Sequence, residues 1–173
     1  MVGIEVGSTA VDFTLSDSSL KPIQLSDYSG KYVVLCFFPM SFSGNANDGC
    51  ELQLCSMNHL YTTECDPDVI KVFGVSLDGP FPNGAFESKL GLQFPLLSDP
   101  TGSTVETYVG KCEFGKFFKE NKISNAIDGM ITSNRGCVVI NPEGKVVYSF
   151  SGNGHPGLQP NLNEIKSVLP LKK

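Results

Sequence analysis

Two residues, Cys50 and Arg135, have the types and positions that thiol chemistry needs. Cys50 follows a polar loop and opens a segment whose apolar residues have helical spacing, so we predict that its thiol lies at a helix N-terminus. The helix dipole and the unpaired backbone N–H groups there stabilise a thiolate. Arg135, the only arginine in the chain, directly precedes the apolar run 137–140. A thiolate beside a fixed guanidinium is suited to attack on the O–O bond of a peroxide.

Such an attack sets requirements for the residues around the sulfur. A free thiol, with a pKa of about 8.5, is mostly protonated at neutral pH, so the helix N-terminus and Arg135 would have to stabilise the ionised form. Arg135 would also stabilise charge on the departing oxygen, and the product would be a sulfenic acid on Cys50. We expect the hydroxyl of Ser43 to orient the peroxide, and Pro39, which has no N–H group, to shield the sulfur.

The composition restricts the class of protein to which the chain can belong. With 173 residues, 40% of them apolar and 18% charged, residues 1–173 are expected to form one domain with its own core. The net charge of −5 argues against nucleic acid or an anionic membrane as the main partner. No apolar run approaches the roughly 20 residues of a membrane span, and the first residues lack the pattern of a secretory leader. We therefore expect a cytoplasmic protein with no membrane contact.

The six cysteines fit working and packing thiols better than a framework of structural disulfides. Secreted disulfide scaffolds are normally shorter and richer in cysteine. Cys36 and Cys137 lie inside apolar runs, where a thiol usually packs as a small hydrophobe. Cys55 and His59 share a helix face at i and i+4, but no further ligand cluster supports a metal site. We predict a reducing compartment, one or two working thiols, and no metal or cofactor.

The order of apolar patterns and turn residues predicts an α/β fold. Strands are predicted at 11–15, 22–25, 32–38, 69–77, 94–97, 136–141 and 145–150. Helices are predicted at 50–62, 83–90, 103–108 and 161–169, with Gly91 closing the second helix and Ser103 capping the third. Segment 110–134 is expected to be an irregular excursion with one or two helical turns. This order predicts a mixed central sheet flanked by helices, with active residues at the carboxyl ends of strands.

Several blocks of the sequence together resemble the peroxiredoxins of the alkyl hydroperoxide reductase and thiol-specific antioxidant superfamily, nearest to the bacterioferritin-comigratory type. The blocks are VGSTAVDFTLSD, QLSDYSGKYVVLCFFP, CELQLC, VFGVSLDGPFPNGAF, KLGLQFPLLSDPTG and RGCVVINPEGKVVYSF. The resemblance implies a thioredoxin-like fold and a thiol-dependent peroxidase that reduces hydrogen peroxide and organic hydroperoxides without a cofactor. It also implies a thioredoxin- or glutaredoxin-type reductant, or a small thiol, and a homodimer.

The chain departs from the family pattern in the loop before Cys50. That pattern is a proline, three residues, a threonine or serine, two residues, and then the reactive cysteine. Pro39 and Ser43 fit its first half, but Ala46 stands at the cysteine position and Cys50 comes four residues later. In one register the loop is longer and Cys50 still reacts. In the other, Ala46 occupies the reactive position and the protein is an inactive peroxidase. The helical pattern after Cys50 and its distance from the block SLDGPF favour the longer loop.

Three cysteines are candidates for the thiol that recycles Cys50. Relatives of this type often carry a second cysteine five positions after the reactive one, and Cys55 has that spacing after Cys50. Two helical residues five apart have Cα atoms about 8 Å from each other, beyond the reach of a disulfide, so a Cys50–Cys55 bridge would require the first helical turn to unwind. Cys112 in the excursion is the next candidate, and Cys65 near a helix end is a weaker one.

Two other functions compete with the peroxidase interpretation. The four extra residues before Cys50 keep open a peroxidase-inactive protein of the same fold that acts as a binding or scaffolding module. A thiol–disulfide oxidoreductase is disfavoured, because no C-x-x-C motif follows the predicted strand 32–38.

Overall fold

The computed structural model describes residues 3–172, which alternate strands and helices in the predicted way. The strands are β1 (Thr14–Ser16), β2 (Pro22–Gln24), β3 (Tyr32–Phe37), β4 (Gly44–Asn45), β5 (Ile70–Ser76), β6 (Leu96–Ser98), β7 (Lys111–Cys112), β8 (Thr132–Ser133), β9 (Gly136–Ile140) and β10 (Val146–Ser151). The helices are α1 (Gly49–Glu64), α2 (Pro80–Leu90), α3 (Ser103–Tyr108), α4 (Phe114–Glu120) and α5 (Leu162–Ser167), with a 3₁₀ turn at Leu25–Tyr28.

Strand β3 is an interior strand, third in a seven-stranded mixed sheet whose order is β10-β9-β3-β5-β6-β1-β2. It pairs in parallel with β5 and antiparallel with β9. Residues 33–37 of β3 are buried, as a strand covered on both faces must be. The mixed sheet flanked by helices confirms the predicted α/β architecture.

The side chains of β3 and of Phe38, which follows it, alternate between two apolar cores. Val34, Cys36 and Phe38 join the core that contains residues of α1 and α5. Val33, Leu35 and Phe37 join the core on the opposite face, with residues of α3. This period of two follows from the pleat of the strand. It places α1, with Cys50 in its first turn, against the same sheet face as Cys36 and Cys137.

Most predicted elements are present, and four local predictions were wrong. The first strand begins at Thr14 rather than at residue 11. Helix α2 begins at Pro80 rather than at residue 83, because proline is well suited to the first turn, where no intrahelical N–H partner is needed. Gly102, with φ of 70°, stands at the N-cap of α3, and Ser103 is the first helical residue. The excursion 110–134 contains α4, as expected, but also an antiparallel β7–β8 ladder that two-residue strands do not reveal in sequence.

No helix within residues 3–172 combines the length and the apolar character needed to cross a membrane.

Candidate active site

Cys50 lies in the first turn of α1 and is completely buried. Asp48 caps the helix, and its side chain accepts a hydrogen bond from the N–H of Gly49 at 2.6 Å. The site therefore has the helix N-terminus that the sequence predicted, with the thiol beside the positive end of the helix dipole. Ala46, the competing position, lies outside α1 on an exposed part of the preceding loop.

The extra residues before Cys50 fold back on themselves. Gly44 pairs with Gly49, and Asn45 with Asp48, so that the loop begins and ends at one place. As a consequence, the carbonyl of Ser43 accepts hydrogen bonds from the N–H groups of both Cys50 and Glu51, each at 3.2 Å. Ser43 thus contacts the first turn of α1 although seven positions separate it from Cys50.

Two glycines form the base of this folded-back loop. Gly44 has φ of 86° and Gly49 has φ of 73°, which is a backbone region that side chains disfavour. A Cβ atom on Gly44 would lie 2.4 Å from the carbonyl oxygen of Asp48, and one on Gly49 would lie 2.6 Å from the Cα atom of Gly44. Only glycine at both positions allows the two backbone segments to approach so closely.

Arg135 is buried in the same region and is bound to α1 through Gln53. A single arginine before a strand is commonly a surface cation, but this side chain is only 2% exposed. Its Nη1 atom donates a 2.8 Å hydrogen bond to Oε1 of Gln53, and its Nε atom donates to the carbonyl of Pro156 at 2.9 Å. Because Gln53 follows Cys50 by three positions, it lies on the same side of the helix, one turn later.

Gln53 also connects α1 to the sheet. Its Nε2 atom donates to the carbonyls of Phe37, at 3.0 Å, and Gly136, at 3.1 Å. Phe37 is the last residue of β3, Gly136 is the first residue of β9, and the two are paired in the sheet. The Gln53 amide therefore holds the Arg135 guanidinium, the helix and two strand ends in one arrangement. No pattern in the sequence singled out Gln53, although a polar residue between Leu52 and Leu54 was an available signal.

Pro39 and Ser43 lie in the loop between β3 and α1. Pro39 is buried directly behind the end of β3, and Ser43 is half-buried. Two hydrogen bonds attach this loop to residues after β5. The N–H of Ser41 donates to Asp78 at 2.7 Å, and the Ser41 hydroxyl donates to Oδ1 of Asn83 at 2.8 Å. Asn83 is fully buried, and no sequence pattern singled it out.

Cys55 is half-buried on α1, five positions after Cys50 in the same continuous helix. Burial and, secondarily, the carboxylate of Glu51 raise the pKa of Cys55, while Lys89 lowers it in part. Lys89 forms a 2.7 Å ion pair with Glu51. Both cysteines belong to one intact helix and are not bridged to each other.

All six cysteines are free. Cys112 is buried, its thiol lies 3.5 Å from the carbonyl of Gly154, and burial raises its pKa. Cys65 at the end of α1 is buried, and burial raises its pKa to about 11. Cys36 and Cys137 lie opposite each other on β3 and β9 inside the core. Over residues 3–172, no group of three or more His, Cys, Asp or Glu side chains is placed to hold a metal ion.

The chain is similar in sequence to proteins of one known family. The profile of the AhpC/TSA family matches residues 6–149. Peroxiredoxin Bcp of Bacillus subtilis is 32% identical over 105 residues, which cover 61% of this chain and 64% of that protein. Alkyl hydroperoxide reductase E of Mycobacterium tuberculosis is 31% identical over 158 residues, covering 89% of this chain and 88% of that protein.

Solved structures show the same fold. A peroxiredoxin-like protein from Aquifex aeolicus superimposes with a TM-score of 0.71 at 22% identity, covering 95% of this chain and 85% of its own. Peroxidoxin BcpB from Mycobacterium tuberculosis gives a TM-score of 0.64 at 22% identity, covering 87% of each chain. These similarities confirm the predicted thioredoxin-like fold.

Proposed function

Since the chain belongs to the AhpC/TSA family, it is a cysteine-based thiol peroxidase, and we propose that Cys50 is the sulfur that reacts with the peroxide. The observation that carries this assignment is the Arg135 side chain, which is buried and hydrogen-bonded to Gln53 one turn after Cys50. A buried guanidinium needs a functional or structural reason, because taking an ion out of water costs several kcal/mol. Stabilising charge at the sulfur and at the departing oxygen supplies such a reason.

In the proposed reaction the Cys50 thiolate attacks the terminal oxygen of a hydroperoxide. The S–O bond forms as the O–O bond breaks, which leaves a sulfenic acid on Cys50 and releases an alkoxide or hydroxide that takes a proton from water. Arg135 stabilises the charge on the departing oxygen. Ser43 and Pro39 shape the pocket for the peroxide. Because Cys50 is buried, the residues that cover its sulfur must move for the peroxide to reach it.

Recycling is proposed to run through Cys55. Its thiol attacks the sulfenic sulfur of Cys50, which forms a disulfide and releases water. Because both residues lie in one helix, this step requires the first turn of α1 to unwind. A thioredoxin-type or glutaredoxin-type protein, or a small thiol, then reduces the bridge by thiol–disulfide exchange. Cys112 is the competing partner, and reaching Cys50 would require the segment around Gly154 to move.

We further propose that the protein works in the reducing cytoplasm and as a homodimer. Six free cysteines suit a reducing compartment. Two exposed aromatic side chains, Phe42 at 55% and Phe81 at 71% exposure, offer apolar surface for a second copy. Sedimentation of the reduced protein would test the dimer, and a monomer at micromolar concentration would contradict it.

The catalytic assignment is tested by comparing peroxide consumption in Cys50→Ser, Cys55→Ser and Cys112→Ser. We expect Cys50→Ser to lose activity in single-turnover measurements, and the other two to keep a fast first reaction. Brief treatment with less than one equivalent of peroxide, followed by a dimedone-type reagent and mass spectrometry, should place the sulfenate on Cys50. Full activity of Cys50→Ser would remove the assignment.

A further inference from the structure

We propose that Gln159 is a positioning residue that holds the first turn of α1 in its helical form. In this role it sets how readily Cys50 leaves the peroxide-reactive conformation for the bridge with Cys55. The second half of this inference rests on the recycling route proposed above, whereas the first half depends only on contacts in the reduced protein.

The contact that carries the inference joins residues 110 positions apart. Nε2 of Gln159 donates a 3.0 Å hydrogen bond to the carbonyl of Gly49, the first residue of α1. In an α-helix this carbonyl also accepts the N–H group four residues later, which here belongs to Gln53. Gln159 therefore adds a second donor to the first hydrogen-bonded turn of the helix that carries Cys50.

Gln159 acts from a segment that is itself fixed to the sheet. The N–H of Gly152 donates to the carbonyl of Arg135 at 2.8 Å, and the N–H of Gly154 donates to Oδ1 of Asn134 at 2.7 Å. In the same segment, the carbonyl of Pro156 accepts the hydrogen bond from Nε of Arg135 at 2.9 Å. The segment 152–159 thus connects the two residues just before β9, the Arg135 guanidinium and the first residue of α1.

Unwinding the first turn of α1 would break two hydrogen bonds, the one from Gln159 to Gly49 and the one from Arg135 to Gln53. The Gly49 carbonyl would leave Gln159, and a displaced Gln53 would leave the Arg135 guanidinium. The bond from Gln159 is therefore present in the conformation that reacts with peroxide and absent from the one that bridges Cys50 to Cys55. Its removal should raise the population of the unwound turn about fivefold, which is the effect of losing one neutral hydrogen bond.

Leucine is a suitable replacement because it lacks the donor and has a similar size. A cavity of about 140 Å³ borders Gln159, Gln53 and Met57, so the new methyl groups have space. Gln159→Glu is a second variant with nearly the original shape and no donor when ionised. Gln93→Leu is the matched control, because Gln93 also donates from Nε2 to a glycine carbonyl, that of Gly91, but on the exposed end of α2.

Hydrogen exchange of the reduced protein tests the first half of the inference. We expect backbone amides in the peptide covering 49–54 to exchange about fivefold faster in Gln159→Leu and Gln159→Glu. Amides of α2 and α5 should keep the parent rate, and Gln93→Leu should match the parent in the 49–54 peptide. Unchanged exchange at 49–54 in both Gln159 variants would overturn the inference.

The fate of the sulfenic acid tests the second half. We expect Gln159→Leu to form the Cys50–Cys55 bridge faster, so that about fivefold more peroxide is needed to convert half of Cys50 to sulfinic acid. General loss of stability would not shift this partition toward the bridge. An unchanged partition with faster exchange would overturn the link to recycling. A parent protein that forms no Cys50–Cys55 bridge would instead overturn the proposed recycling route, while the exchange result would still decide the role of Gln159.

Discussion

The carbonyl of Ser43 accepts the N–H of Cys50 at 3.2 Å, although seven positions separate the two residues. Gly44 and Gly49 make this possible, since they close the intervening loop at its base. The extra residues therefore form an exposed loop, and Ser43 contacts the first turn of α1 despite them.

Substituting either glycine at the base of the loop should separate Ser43 from Cys50. Gly44→Ala would place a Cβ atom 2.4 Å from the Asp48 carbonyl oxygen, a clash with backbone that cannot be relieved by a side-chain rotation. We expect at least tenfold slower reaction with peroxide, and a free energy of unfolding lower by about 2 kcal/mol. Stopped-flow peroxide kinetics and urea unfolding measure the two effects.

Gly30→Ala is the control for this prediction, because Gly30 also has a positive φ of 84° but no atom within 4 Å of a built Cβ. It should lose about 1 kcal/mol of stability from backbone strain and keep the parent rate with peroxide. Equal kinetic losses in Gly44→Ala and Gly30→Ala would show that the close approach at the base of the loop is unimportant.

Deleting residues 45–48 should leave an active enzyme. A Cβ built on either Gly44 or Gly49 comes within 2.7 Å of the other's Cα atom, so these α carbons are no farther apart than roughly 4 Å, close to the spacing of consecutive α carbons, about 3.8 Å. Joining them directly should preserve the contact between Ser43 and Cys50. We expect a peroxide rate constant within about threefold of the parent, and a complete loss of activity would show that residues 45–48 take part in the reaction.

Replacing Arg135 should affect both rate and stability. Arg135→Met leaves Oε1 of Gln53 and the carbonyl of Pro156 without their donor inside the protein, so we expect a loss of about 3 kcal/mol in the free energy of unfolding. Arg135→Lys keeps the charge but loses the planar fork. Arg135→Met should react with peroxide about a hundredfold more slowly than the parent. Arg135→Lys should be slowed by a smaller factor.

The exposed Lys21→Met variant, which removes a cation elsewhere, is the control for Arg135. Single-turnover kinetics at a temperature where every variant is folded separates the rate effect from the stability effect. Parent-like kinetics in folded Arg135→Met would mean that another group activates Cys50.

The ionisation of Cys55 should depend on its two charged neighbours. Burial and Glu51 raise its pKa, so less thiolate is present at neutral pH than for a free thiol, and its reactivity should increase with pH beyond the ordinary thiol range. Glu51→Gln should lower the pH midpoint of Cys55 alkylation, and Lys89→Met should raise it. Iodoacetamide rates for Cys55, followed by mass spectrometry between pH 7 and about pH 10, test the sign. Shifts of the same sign in both variants would contradict the electrostatic explanation.

Short-range patterns in the sequence determined much of this molecule. The apolar run at β3, the polar loop after it and the helical spacing behind Cys50 placed that thiol at a helix N-terminus, because period and turn residues are local properties. The rarity of arginine singled out Arg135. The excursion 110–134 was harder, because the paired strands β7 and β8 have two residues each and are stabilised by partners that are distant in sequence.

Only the tertiary structure decided how these residues are connected. Gln53 binds Arg135 across 82 positions, and Gln159 binds Gly49 across 110. Such hydrogen bonds depend on where the sheet places the ends of β3 and β9 relative to α1, and no local propensity encodes that. The sequence by itself determined which residues have the chemistry and which element carries each of them. The positions of α1 and of the segment 152–159 relative to the sheet decided which polar groups meet. A buried donor or acceptor must find its partner inside the fold.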